Sequence, residues 1–454
     1  SGLIQRGSDM KAFSRFGLLA LFFVLIFGMT SVQAQDRDLY DSARVDDLDP
    51  AYALEWMDLL YDRVWYESVS APGAARLYGY GTVAMYTALL PGMPSNYSMR
   101  TQLTNFPDIP YPNEQNEFDW LSVVNGTMST VMVEMFAKGS DDTIQRISDL
   151  RARHKQLRLD ATDFEIVEHS LRYGDDVAEY IIDWMNSDGY IETRGRAYEI
   201  PTGDLSFWVP TEEGMQAVEP YWGTLRPFML SYADLCAVYM DVPFSTDPNS
   251  TFYAQSMETK RVGENLNREQ REIAEFWIDT PGQSGAPAGH WMKIAKDIAI
   301  SQNLPLSTIA EMYVGVGIAV ADSFISAWSI KYQYNLLRPI TYINQYIDAR
   351  WRTYLESPGF PEYPSGHSVV SGAAGRVLTR MFGALHFTNT NITPSGTVTR
   401  SFTSFEHAAQ EAAMSRLYGG IHFRSAIENG VRHGECIGDY IMNNIFFRSV
   451  PQGE

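Results

Sequence analysis

The chain has 454 residues, only two cysteines and a formal net charge of −20. That length allows a large buried core and one large domain or two ordinary ones, and the acidic excess argues against nucleic acid and anionic membrane surfaces as partners. Any anion site must then be a local island of positive charge. No CxxC, HExxH, GxGxxG or P-loop pattern occurs, so a zinc hydrolase or a nucleotide enzyme would need a site that the sequence does not signal.

Residues 1–9, SGLIQRGSD, precede Met10 and read as appended or upstream material. Residues 10–34 have the pattern of a cleaved signal peptide: Lys11 and Arg15 are basic, Gly17 to Phe27 is apolar, and Val32-Gln33-Ala34 offers a small-residue cleavage site. The apolar run is shorter than the roughly 20 residues of a spanning helix, and no later segment is read as spanning. The expectation is an exported protein, periplasmic or secreted, with no membrane partner. Cys236 and Cys436 could pair in such a compartment, but two buried free thiols fit equally well, because their separation gives no geometry.

The mature chain reads as helix after helix. Met57, Leu60, Tyr61, Val64 and Trp65 follow the spacing of one helical face, as do Val167, Leu171, Gly174, Ala178, Ile181 and Met185. Near the C-terminus Ile427, Val431, Gly434, Gly438, Ile441 and Ile445 form a stripe whose two glycines would admit a close neighbour. Residues 90–120 and 200–252 are rich in Pro, Gly, Asn and Asp and read as irregular, with aromatics that would pack. No repeat is visible, and no period-2 alternation bounded by hairpin turns. The predicted fold is all-α, a single large helical domain over residues 35–454 whose chemistry lies in about 285–445.

Three segments in that half carry the chemistry. Ser307 to Leu337 contains no proline and predicts a long helix ended by Pro339. At roughly 100° per residue, Trp328, Lys331, Asn335 and Arg338 fall on one side. A solvated polar face is the bland reading, but the helix is otherwise apolar, and buried cations need a compensating anion. In FPEYPSGHSVV, Ser365 reads as an N-cap, Gly366 lets an oxyanion approach free backbone N–H groups, and His367 on the first turn can exchange a proton. The bland alternative is a capped helix with a packed histidine. In MSRLYGGIHFR, Arg416 and His422 flank Gly419-Gly420, a pair expected to bend the chain so that both converge. Alone, that segment reads equally as a surface arginine and a buried histidine.

The order and spacing of the three, Lys–six residues–Arg-Pro, Pro-Ser-Gly-His, and Ser-Arg–five residues–His, resemble the superfamily of type 2 phosphatidic acid phosphatases, bacterial acid phosphatases and vanadium-dependent haloperoxidases. The resemblance spans about a hundred residues and implies an all-α bundle architecture whose pocket holds phosphate or vanadate. The phosphatase pattern continues with an Asp four residues after the second histidine, where this chain has Ala426. PAGHWMKIA (287–295), Trp328 ahead of Lys331, and YGGIHFRSAIENG are similar to bacterial vanadium haloperoxidases, and the whole is most similar to the vanadium-dependent iodoperoxidases of marine flavobacteria; APGAARLYGYGTVAMY (71–86) fits less specifically.

That resemblance implies one vanadate per chain, with His422 as the single protein ligand to vanadium. Lys331, Arg338, Ser365, the Gly366 N–H and Arg416 would hydrogen-bond its oxygens. His367 would take a proton from hydrogen peroxide, Lys331 would polarise the bound peroxide, and halide would be oxidised to hypohalous acid without haem or a redox partner. Trp328 and Phe360 resemble the aromatics of the halide side; a phenylalanine there also occurs in chloroperoxidases, and iodide is expected from overall likeness, with bromide as the alternative. The competing readings are an exported acid phosphatase with His422 as phosphoryl nucleophile and His367 as general acid, and a non-catalytic phosphate-binding protein. The other histidines are read as structural, with His290 the candidate exception because it lies in PAGHW.

Overall fold

The structure, a computed structural model, describes residues 42–113 and 115–448. Residues 1–9 and the signal peptide expected over 10–34 lie outside the described residues. In chain order the helices are α1 (Ala51–Tyr66), α2 (Ala71–Leu89), α3 (Trp120–Met135), α4 (Asp141–Leu159), α5 (Phe164–Asn186), the short α6 (Tyr190–Thr193), α7 (Thr251–Glu264), α8 (Arg268–Phe276), α9 (Ala286–Ser301), α10 (Leu306–Tyr334), α11 (Pro339–Tyr346) and α12 (Gly366–Phe382). A hairpin of β1 (Phe387–Thr393) and β2 (Gly396–Phe402) follows, then α13 (Phe405–Tyr418) and α14 (Arg424–Asn444). Many helices begin where a short polar side chain takes an orphan N–H: Ser70 accepts from Gly73, Asp119 from Ser122, Ser140 from Thr143, and Ser250 from Tyr253.

The all-α reading holds, and both stripes placed in the first half of the chain face inward; on α5, Val167, Leu171, Ala178 and Ile181 are buried. The hairpin is a departure from the sequence reading. Its first strand alternates strictly between buried and exposed positions, but the inward residues after Phe387 are Asn389, Asn391 and Thr393, so the alternation never appears as hydrophobicity.

α10 runs through the interior, packed against α2, α9, α12 and α14. It is long and apolar enough to cross a membrane by length and composition, contrary to the expectation that no later segment would be; here it is the core helix, almost wholly buried by its neighbours. It also stops earlier than expected, at Tyr334. Asn335 takes the left-handed conformation (φ 50°, ψ 38°), which a short polar side chain tolerates, and Arg338 becomes the N-cap residue of α11. The residue before a proline is pushed out of helical geometry, so Pro339 opens a new helix and does not simply end the old one.

The irregular segment 200–250 is fixed to this core at identifiable points. The buried Asp322 of α10 accepts the backbone N–H groups of Phe228, Met229 and Leu230 at 2.6, 2.9 and 2.9 Å. A disulfide joins Cys236 to Cys436 on α14, resolving the choice between paired and free thiols.

Candidate active site

α12 and α14 set the frame. Gly434 on α14 lies so close to α12 that a Cβ there would sit 2.1 Å from the Val369 carbonyl oxygen, and one on Gly372 would sit 2.6 Å from the Val431 carbonyl. The start of α12 is thereby held beside the chain that enters α14. Ser365 caps α12 through its hydroxyl, which accepts from Ser368 N at 3.3 Å, while its own N–H donates to the Ala426 carbonyl at 3.1 Å. Gly366 has the Trp328 ring 3.3 Å from where a Cβ would lie, so a side chain there would crowd the cup.

Lys331, Arg338 and Arg416 converge on this helix start, all at 2% exposure or less. Burial pulls each down from its usual range, Lys331 well down, and Arg338 and Arg416 to about 10. Lys331, in the last turn of α10, donates to the carbonyls of Pro361, Glu362 and Pro364 at 3.0, 3.0 and 2.5 Å, so a direct bond to an oxyanion would exchange one of these. Arg338 donates to the Phe360 and Ile421 carbonyls at 2.9 Å each, and its Nη2 is buried with no partner among the described residues. Arg416 is anchored through Ser415 and the Trp277 carbonyl, and its Nη1 makes no hydrogen bond among the described residues. The carboxylates acting on these cations are Glu362 and Asp279. A buried Arg338 Nη2 without a partner among the described residues, amid three buried cations, fits an oxyanion of the phosphate and vanadate class.

The glycine pair acts as expected: α13 ends at Tyr418, Gly420 has φ +74°, and the chain turns so that His422 faces Arg338. His422 Nδ1 lies 2.9 Å from Glu362 Oε1, and Nε2 lies 3.2 Å from Arg338 Nη1. A guanidinium can only donate, so Nε2 carries the lone pair and Nδ1 the proton. Burial, with Arg338, Lys331, Arg416 and His367 nearby, holds His422 well below its usual value and therefore neutral. Glu362 also accepts the Phe423 N–H at 2.8 Å, and burial pushes its carboxyl up to about 7 against the pull of Arg338 and Lys331. Its other oxygen has no partner among the described residues.

Glu362 was not anticipated. It supplies from the α12 side the orienting carboxylate that Ala426 withholds on α14, and the one hint was an acid inside an otherwise apolar, proline-rich run. Replacing Glu362 by Gln is expected to lower oxyanion affinity about 10–100-fold, the usual cost of losing the partner that orients a ligand histidine; equilibrium dialysis of vanadate against the wild type and the variant measures it.

His367 projects from the first turn of α12, with Nε2 buried, unbonded and 3.6 Å from Asp279 Oδ2. Burial, then Arg416, lower it to about 4, against the opposing pull of Asp279. Asp279 lies just ahead of the predicted 285–445 span and was also missed, since a single acid in FWIDTPG carries no pattern. Its carboxyl is held far below the usual range: burial opposes this, and His290 is the largest favourable cause. His290 Nδ1 is 3.0 Å from Asp279 and Nε2 is 2.9 Å from Asn389 on the hairpin. His290 thus sits one carboxylate away from His367, whereas His154 and His433 are tied to Glu55 and Ser326.

The aromatic side of the pocket is formed by Trp328 and Phe360, with ring centroids 4.9 Å apart. The Phe360 ring has the Arg338 guanidinium 4.7 Å and the Lys331 ammonium 5.1 Å from its centroid. Trp328 Nε1 and the Tyr332 hydroxyl both donate to the Val218 carbonyl, so the irregular segment 200–250 forms the outer wall.

Comparison with known proteins gives the family. The profile of the VCPO second helical-bundle domain matches residues 311–448. A solved bacterial vanadium-dependent iodoperoxidase is similar over 89% of this chain and 98% of its own, with 33% identity and a TM-score of 0.82. Holo-type and apo-type bacterial vanadium-dependent chloroperoxidase structures share the fold at 18% and 17% identity, with TM-scores of 0.61 and 0.62, covering 83% and 84% of this chain and 93% of each of theirs. Comparison with curated proteins by sequence gives no match. With its oxyanion cup, its backed histidine and this extent of likeness, the chain belongs to the vanadium-dependent haloperoxidases.

Proposed function

We propose that the protein uses a vanadate held in this pocket to oxidise halide, foremost iodide, with hydrogen peroxide, giving hypohalous acid. The observation that carries this reading is the lone-pair Nε2 of His422, set by Glu362 and Arg338 among three buried cations, with Arg338 Nη2 left as a buried donor without a partner among the described residues. His422 Nε2 is the ligand atom; Arg338 Nη2, Arg416 Nη1, the Gly366 N–H and the Ser365 hydroxyl are donors to the oxyanion; and Lys331 adds its charge across the pocket. When bound, vanadate supplies a Lewis acid centre that needs no change of oxidation state and no redox partner.

His367 is the base that takes a proton from hydrogen peroxide. It must be neutral to do so, and its value of about 4 keeps it neutral at ordinary pH. Activity is therefore expected to be flat in its acidic range until the pH falls through about 4, and then to drop as imidazolium forms. A rate profile from pH 3 to 7 in the wild type and in His367→Gln, which should lack that limb, checks the assignment.

The iodide preference is supported by the 33% identical structure described as an iodoperoxidase. The apolar wall of Trp328 and Phe360 also suits a large, weakly hydrated halide. A second reading draws on Glu362: a carboxylate-backed His422 Nε2 is equally equipped to attack phosphorus, as in an acid phosphatase. The deciding assay loads purified protein with orthovanadate and measures peroxide-dependent oxidation of iodide, bromide and chloride beside hydrolysis of an aryl phosphate. Iodide oxidation with little hydrolysis is expected; a vanadate-loaded sample that oxidises no halide overturns the proposal. We further propose that residues 35–454 work as one exported domain, which the disulfide supports; N-terminal sequencing of protein recovered outside the cytoplasm should begin near Gln35.

A further inference from the structure

A line of buried polar groups runs from Asp279, beside His367, to the half-buried Asp297 on α9. Asn389 Nδ2 donates to Asp297 Oδ2 at 2.8 Å. A carboxylate only accepts, so this bond fixes the Asn389 amide and turns its Oδ1 toward His290 Nε2 at 2.9 Å. His290 Nε2 must then carry a proton. Its Nδ1 faces Asp279 at 3.0 and 3.2 Å, and two bare acceptors would repel each other there, so a second proton lies in that contact. The ring face of His290 is stacked on the Trp277 indole with centroids 4.2 Å apart, the seat that favours a cation. The groups acting on this pair from the surrounding elements are Tyr61 of α1, Tyr78 of α2, Lys293 and Asp297 of α9, His367 of α12 and Arg416 of α13. Burial raises Tyr61 to about 12 and Tyr78 beyond that, so both stay neutral.

We propose that His290 is a positioning residue of the active site, locked as imidazolium by Asn389 so that it holds the Asp279 carboxylate against His367 Nε2 and fixes which His367 nitrogen bears the proton. His367 then keeps its proton on Nε2 and exchanges protons through Nδ1, which has no protein hydrogen bond among the described residues. With His290 charged, Asp279 already has its counter-charge and does not draw a proton onto His367. The hairpin accordingly has a purpose in the chemistry: it delivers one amide that sets the charge state of a residue one carboxylate away from the base. The activity test of this inference rests on the haloperoxidase reading, but its spectroscopic test does not.

On vanadate-free protein, 15N NMR of ring-labelled histidines at neutral pH should show both nitrogens of His290 protonated and His367 protonated on Nε2 alone; His290→Gln and His367→Gln assign the two among the eight histidines. A singly protonated His290 overturns the proposal. On vanadate-loaded protein, His290→Gln keeps an N–H for Asp279 but no charge, and the Asp279–His367 pair should regain the missing proton. The acidic limb of the rate profile then moves up by at least about one pH unit, the scale of one nearby buried charge. Asn389→Leu, which removes the acceptor that enforces the charge, should move it in the same direction and guards against a folding defect in the first variant. Circular dichroism melts of both identify folded protein. Folded variants with lower rates but an unmoved limb would show a merely structural role and sink the idea. If NMR agrees but loaded protein oxidises no halide, the functional reading falls and the positioning stands; if halide is oxidised and His290 is neutral, only the positioning falls.

Discussion

His422→Ala is expected to remove vanadate binding at assay concentrations and to reduce halide oxidation to the rate of free vanadate. The pocket has many donors but one buried, lone-pair nitrogen held in place from both sides, by Glu362 at 2.9 Å and Arg338 at 3.2 Å. On the proposed assignment, deleting the ring would remove the protein's ligand atom for vanadium, as distinct from the donors to its oxygens, and leave Glu362 and Arg338 without the group that separates them. The three cations remain, so weak oxyanion attraction should persist. Vanadium content after gel filtration, measured with iodide oxidation in the same sample, tests this; a variant that retains full activity refutes the ligand assignment.

Gly434→Ala should have the largest effect on the fold. Its Cβ would stand 2.1 Å from the Val369 carbonyl oxygen and 2.7 Å from the Ala373 nitrogen, both backbone atoms of α12 that no rotamer change can move. The two helices must separate, and α12 begins with Gly366 and His367 behind its cap Ser365. Overpacking costs roughly 1–3 kcal/mol and sometimes more, and a backbone collision belongs at the top of that range. The expected result is a melting temperature lower by several degrees together with weakened vanadate binding. Gly263→Ala on α7, where a Cβ meets only the Trp351 ring at 3.4 Å, is the control and should cost little or be mildly stabilising. Equal melting temperatures for the two variants would refute the close-packing argument.

What the sequence reading could and could not reach follows from the kind of interaction involved. Lys331, Arg338, Ser365, Gly366, His367, Arg416 and His422 were legible because short, fixed spacings along the chain place them, and the glycine bend before His422 was legible from composition. Arg338 reached the pocket by a different route, through a left-handed Asn335 and a second helix, which no periodicity encodes. Glu362, Asp279 and Asn389 were invisible for a common reason. Each is a buried polar residue whose partner lies 60, 11 or 99 positions away, and pairing of that kind leaves no pattern in hydrophobicity. The hairpin was missed on the same ground, since its inward face is polar.

The Cys236–Cys436 bond spans 200 residues of sequence, and in the chain-entropy view a closed loop of that size disfavours the unfolded chain by about 5 kcal/mol. It anchors the segment that includes Val218, against which both Trp328 and Tyr332 are bonded. The segment that walls the aromatic side is thus tied to α14 by an oxidation event elsewhere in the chain, in addition to the hydrogen bonds that seat it on α10. Protein made in a reducing cytoplasm should carry the cup intact but its aromatic wall loosened, and re-oxidation after purification, without refolding, should restore activity that vanadate alone does not.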